Sequence, residues 1–176
     1  MTTTLYSIGH STRTLDELVA LLREHDVTLL ADVRTVPRSR HNPQFNLETL
    51  PAALATHGIG YAHLPALGGL RHARKDSINQ GWRNASFRGY ADYMQTPEFE
   101  AALGGLIRLA ARQMVAVMCA EAVPWRCHRS LIADALAVRG AEVCHIMGPG
   151  KYQKHKLTPF ALVEGMWLSY PFVLQG

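Results

Sequence analysis

The sequence predicts an α/β fold of three layers, α/β/α, built on a mainly parallel sheet of about five strands. Three observations lead there. Short apolar runs rich in Val, Ile and Leu alternate along the chain with segments whose apolar residues recur at helical spacing. A strand that returns through a helix to the same sheet does so by a right-handed crossover, which makes the strands parallel. The runs are also too apolar for one face to meet water, as Val115-Ala116-Val117-Met118 shows, so helices must cover both sides of the sheet.

Taken in order, Leu5 to His10 reads as the first strand. Thr14 caps a helix that carries Leu15, Leu18, Val19, Leu21 and Leu22 and ends near His25. Thr28 to Val33 is the second strand. Asn46 is expected to cap a second helix, with Leu47, Leu50, Ala53 and Leu54 turned inward as far as His57-Gly58. Ile59 to Leu64 is the third strand. The polar loop from Pro65 to Ser86 holds Leu67-Gly68-Gly69, Trp82 and Asn84, and its length marks it as functional or mobile. A helical region follows from Phe87 to Arg112 and should break around Thr96-Pro97, where proline removes an amide donor. Val115 to Met118 forms the fourth strand, with Cys119 at its carboxyl end. Pro124 then suits a first helical turn, and Leu131, Ile132, Ala135 and Leu136 face inward until Arg139-Gly140. Glu142 to Met147 is the fifth strand.

The length of 176 residues and 48% hydrophobic content match one globular domain over 1–176. Residues 148–176 read as a tail packed back across the body, with a homodimer contact as the alternative. Met1-Thr2-Thr3-Thr4 is no basic-then-apolar leader and no uncharged run is long enough for a bilayer, so a cytoplasmic protein with no membrane partner is expected. Cys119, Cys127 and Cys144 lack the spacing of a disulfide scaffold, and reduced thiols are expected.

The net charge of +4 matters less than its placement. Segments 34–45, 66–91, 126–129 and 151–156 hold 13 of the 18 Lys and Arg against one acid, Asp76, which favours an anionic partner. In a parallel sheet ligands bind beyond the carboxyl ends of the strands. That rule places His10, Asp32 with Arg34, His63, and Cys119 with Glu121 on one rim, each after a different strand.

The segment after the fourth strand carries the densest chemistry. His128 lies three residues before Leu131 and four before Ile132, so it should share their inward face, aimed at Cys119. Free amides at the helix start, with Arg126 and Arg129, favour an anion or a thiolate. Cys119 is then a nucleophile or redox thiol, with Cys127 as a resolving thiol. Glu121 and His128 move protons, and Arg34, Arg38, Arg126 and Arg129 neutralise charge on a small anionic or nucleotide-like substrate. Catalytic roles fall to Cys119, Glu121, His128 and Asp32, and substrate contacts to His10, Arg34, Arg38, His63, Arg126, Cys127 and Arg129.

These residues fall in blocks that resemble the family catalogued as domain of unknown function 488: Ser7-Ile8-Gly9-His10-Ser11; Asp32-Val33-Arg34 with Pro37-Arg38-Ser39 and Pro43-Gln44-Phe45-Asn46; Tyr61, His63 and Leu67-Gly68-Gly69; Cys119-Ala120-Glu121; and Cys127-His128-Arg129. The resemblance implies no particular reaction. A second likeness, to rhodanese-type domains, rests on Asp32-Val33-Arg34 and on a strand ending in Cys119 followed by a loop and helix. It implies a Rossmann-like or rhodanese-like sheet. The loop from Cys119 to Arg126 contains no glycine, unlike most anion-cradling loops.

Other readings stay open. Cys119 can be a buried hydrophobe. Asp32 with Arg34 can be an ion pair that orders the rim, and Arg129 can pair with Asp134 or Asp32. The basic loops, with Trp82, Phe87 and Tyr90, can grip a nucleic acid. Cys119, Cys127 and His128 are ligand types for a metal but lack a paired hook, so no metal is assigned and the cofactor is left unnamed. The leading expectation is a cysteine-dependent hydrolase or transferase.

Overall fold

The computed structural model describes residues 2–172. Six strands form the central sheet: β1 (Thr4–Gly9), β2 (Leu29–Asp32), β3 (Gly60–His63), β4 (Val115–Cys119), β5 (Glu142–Gly148) and β6 (Lys151–Lys154). Their order is β3-β2-β4-β1-β5-β6, parallel throughout except for the antiparallel edge strand β6. The sixth strand lies within what reads in the sequence as a basic patch, and its lysines face solvent, as suits an exposed edge.

Five helices cover the sheet: α1 (Leu15–Glu24), α2 (Leu50–Ala55), α3 (Ala85–Tyr93), α4 (Pro97–Arg112) and α5 (Arg129–Val138). Alternation along β4 divides the core between two faces. Val115, Val117 and Cys119 join the side chains of α3, α4 and α5, whereas Ala116 and Met118 join those of α1 and α2. The sulfur of Cys119 is therefore committed to the α5 face.

Local signals account for most helix ends. Thr14 and Glu17 form a capping box at α1, and Thr96 caps α4 directly before Pro97, where the helical region breaks as expected. The second helix differs from its expectation. It starts only at Leu50, because the Asn46 side chain accepts instead from the Ser39 amide at 2.6 Å, and Leu47 is left 41% exposed. Pro124 likewise opens no α-helix. It begins a separate 3-10 turn, Pro124–Arg126, and α5 starts three residues later with His128 at its cap.

The long loop before α3 is ordered by one carboxylate. Buried Asp92 accepts from Ser77 Oγ at 2.6 Å, Asn79 Nδ2 at 2.7 Å and the Arg74 amide at 2.8 Å, and Asn79 Oδ1 accepts the Tyr170 amide at 2.9 Å. After β6 the chain forms a hairpin, β7 (Leu162–Glu164) and β8 (Trp167–Ser169), then buries Leu168 and Tyr170 against the α5 face. No helix among the described residues is long and apolar enough to cross a membrane.

Candidate active site

Parallel pairing brings Gly9 of β1 opposite Cys119 of β4, and Asp32 of β2 opposite both Met118 and His63. The rim they form opens on a cavity of about 460 Å³. Its wall is made by Cys119, Cys127 and His128, by the cationic Arg34, Arg38 and Arg126, and by Val36, Leu70, Phe87 and Tyr90; His10 and Glu121 also line it. Leu70 is 78% exposed at this edge and has a left-handed backbone, φ 59°, a conformation that costs a leucine about 1 kcal/mol.

The segment after β4 lies unusually close to the end of β1. The amides of His10 and Ser11 donate to the carbonyls of Cys119 and Ala120, both at 2.9 Å. A Cβ at residue 9 would lie 1.7 Å from the Glu121 carbonyl oxygen, so only glycine permits this approach. The Glu121 carbonyl is thereby fixed where Arg129 Nη2 donates to it at 2.8 Å.

Arg129 is the centre of the site's electrostatics. It is 1% exposed, and its Nε donates to Cys119 Sγ at 3.1 Å while Nη1 donates to Ser7 Oγ at 3.0 Å. No carboxylate among the described residues pairs with it. Burial alone would raise the Cys119 pKa, but the hydrogen bond from Cys127 and the charge of Arg129 outweigh burial and bring it down to about 7. Cys127 is pushed well up, first by sharing its proton with Cys119 and then by burial. Of the two sulfurs, Cys119 therefore gives up its proton first, and the negative charge is favoured there.

His128 serves Cys127 and not Cys119, a correction to the sequence expectation. Its Nε2 donates to the Val33 carbonyl at 2.9 Å, which leaves Nδ1 as an acceptor facing Cys127 Sγ at 3.4 Å. Burial lowers its pKa to about 4, so the ring is neutral. The helix-start amide also reaches Cys127, with Arg129 N donating to that sulfur at 3.5 Å.

Three further residues stand away from the cavity lining. Asp32, expected to be catalytic, is fully buried and does not line the cavity. It takes Arg34 Nε at 2.9 Å, Arg34 Nη2 at 2.7 Å and the Tyr61 hydroxyl at 2.5 Å, an arrangement that orders the rim. His63, expected to touch substrate, donates to the Arg34 carbonyl at 2.8 Å behind the wall. Arg129, also expected at the substrate, stands behind Cys119 outside the cavity lining. His10 does reach the cavity. It stacks on Phe45, donates from Nδ1 to the Ser11 carbonyl at 2.8 Å and faces Arg34 through Nε2 at 3.3 Å; burial first and the Arg34 charge with it lower its pKa.

Among the cationic residues of the wall, Arg34 is paired with Asp32 and Arg38 with Glu48, while Arg126 is exposed with no carboxylate partner among the described residues. In the long loop, Arg71 stacks over the Tyr93 ring at 3.7 Å, Arg74 pairs with Asp76 and Arg88 holds the Trp82 carbonyl. Trp82 packs edge-on against Phe87 and Phe160. Among the described residues no three His, Cys, Asp or Glu side chains converge as a metal-binding set.

A family model described as Domain of unknown function DUF488 matches residues 14–136, more than half of the chain. The chain belongs to the DUF488 family. No curated protein and no solved structure matches it. The matched span of this DUF488 protein includes the cavity residues from Arg34 to His128 and also Arg129 and Asp134. Ser7, His145 and His155 lie outside it. Sequence reasoning left these three without a role, although Ser7 stands in the first quoted block and His145 alternates away from Cys144 in the fifth strand. The register that sets Ser7 directly opposite His145 is a tertiary fact.

Proposed function

We propose that this DUF488 protein is a cysteine-dependent hydrolase or transferase for a small anion with an apolar or planar body, nucleotide-like in size. The contact of Arg129 Nε on Cys119 Sγ, beside a cavity lined by both cationic and apolar side chains, carries this reading. The Cys119 thiolate attacks an acyl or phosphoryl centre, forming the bond to sulfur as the bond to the leaving group breaks. The leaving group keeps the electron pair and takes a proton from water in the cavity, beside Glu121. Water, or an acceptor hydroxyl, then attacks the thioester or thiophosphate, yields its proton to the Glu121 carboxylate and restores the thiolate. Arg126 and Arg38 draw the substrate's charge to the cavity mouth, and the Cys127 thiol, held by the Arg129 amide, donates to the neighbouring anion. Such free-thiol chemistry suits a cytoplasmic setting.

The test is site-resolved alkylation of Cys119 across pH, with and without pyrophosphate or a nucleoside monophosphate. A midpoint near 7 and protection by the anion are expected. A midpoint near 8.5 with no protection by any anion would overturn the proposal. Oligonucleotide protection that disappears with salt, in the absence of protection by small anions, would favour a nucleic-acid partner instead.

A further inference from the structure

Arg129 and Asp134 are both buried, both on α5, and neither touches a partner of opposite formal charge among the described carboxylates and basic side chains other than His155. The same protein shows how it neutralises a buried arginine directly: Arg34 sits on Asp32 with two guanidinium contacts. At Arg129 the carboxylate is instead reached through three intervening side chains. Arg129 Nη1 donates to Ser7 Oγ at 3.0 Å, and Ser7 Oγ is 2.5 Å from His145 Nδ1. His145 Nε2 lies 2.8 Å from His155 Nδ1, and His155 Nε2 lies 2.7 Å from Asp134 Oδ1.

With both imidazoles neutral, the two ends fix the direction of every proton between them. A guanidinium only donates and a carboxylate only accepts. His155 therefore donates from Nε2 to Asp134 and accepts at Nδ1. His145 donates from Nε2 and accepts at Nδ1, and the Ser7 hydroxyl gives its proton to His145 while turning its lone pairs toward Arg129. Each neutral group in the row directs its negative end at the arginine. Asp134 is held in place by the Thr158 amide and hydroxyl and by the Tyr170 hydroxyl, at 3.1, 2.6 and 2.7 Å. The far end opens on a second cavity of about 330 Å³, where Lys154 and Lys156 stand beside His145 and His155.

We infer that Ser7, His145, His155 and Asp134 are positioning residues for Cys119, a one-way hydrogen-bonded relay that holds the Arg129 guanidinium on the sulfur and supplies it with a distant counter-charge. The role rests on the Cys119 thiolate proposed above. It goes beyond that proposal by assigning the control of the thiolate to residues outside the cavity: Ser7 on β1, His145 on β5, His155 next to β6 and Asp134 on α5.

The experiment measures Cys119 alkylation by iodoacetamide from pH 5 to 9 in the full chain. Trypsin cuts after Arg112 and Arg126, so the peptide 113–126 reports Cys119 apart from Cys127. His155→Ala should move the midpoint up by about one pH unit, an approximately tenfold slower reaction at pH 6. His155→Gln, whose amide can both accept from His145 and donate to Asp134, should restore most of that loss. Ser7→Ala, which deletes the link without opening the second cavity, should reproduce the shift and stands in where His155→Ala does not fold. An acidic Cys119 in the parent whose curve is unchanged in folded His155→Ala or Ser7→Ala would overturn the relay and leave the thiolate intact. A parent midpoint near 8.5 would instead overturn the thiolate itself.

Discussion

Nε of Arg129 lies 3.1 Å from Sγ of Cys119, and both atoms belong to buried residues. A buried guanidinium without an adjacent carboxylate is expensive, and a thiolate is the one group in contact with it that can carry a full negative charge. The pair is thus mutually dependent: the cation lowers the cost of the thiolate and the thiolate that of the cation.

Replacing Arg129 by Gln should therefore change reactivity and stability together. Cys119 alkylation at pH 6 should slow on the order of tenfold or more, since one unit of pKa is a factor of ten. Stability should fall by about 2 kcal/mol from the hydrogen bonds lost to Ser7 and the Glu121 carbonyl, read as a lower urea midpoint with unchanged slope.

Gly9→Ala tests the close approach behind the site. The new methyl would meet backbone, the Glu121 carbonyl, which cannot swing aside as a side-chain tip can. A loss of about 3 kcal/mol is expected in chemical denaturation, with the cavity loop displaced and the Cys119 pKa raised toward that of an ordinary thiol.

Asp32→Asn should leave the Arg34 guanidinium buried without its counter-ion and cost about 3 kcal/mol. Tyr61→Phe removes one hydroxyl from the same carboxylate and should cost about 2 kcal/mol. If Asp32 acts only by ordering the rim, both variants keep an acidic Cys119 at pH 7, measured by alkylation; a loss of Cys119 reactivity in folded Asp32→Asn would return Asp32 to the chemistry.

Acid should destabilise the fold through its buried neutral histidines. Burial brings His128 to about 4 and His145 to about 3, both below the ordinary 6.5. Between the ordinary and the folded values the unfolded chain binds more protons, so the stability they contribute is complete above pH 6.5 and is lost as pH falls toward 4. The expected slope is about 1.4 kcal/mol per pH unit per histidine in that window, followed as urea midpoints at pH 7, 6 and 5. His128→Gln should flatten it.

Much of this molecule is legible in one dimension. The alternation of apolar strands with amphipathic helices determined the three-layer class, because a fully apolar strand must be covered on both faces. The rule that parallel strands present their carboxyl ends on one side brought His10, Arg34 and Cys119 to one rim before any coordinate was known. Local chemistry also located the Thr14 cap and the break around Thr96-Pro97, since each acts within one helical turn of itself.

What the tertiary structure alone decided is partnership. Asn46 had two uses, a helix cap or the Ser39 amide, and only the folded loop selects the second. His128 has two ring nitrogens, and the distant Val33 carbonyl decides which one faces a sulfur, and which sulfur. On sequence grounds Arg129 can neutralise a substrate or pair with Asp134 or Asp32; in the fold it meets Cys119, while Ser7, His145 and His155 connect it to Asp134. The bonds of Ser7 to Arg129 and His145, more than a hundred positions away, leave no periodicity in the sequence, because they depend on strand register and on three-dimensional reach, which no local pattern encodes.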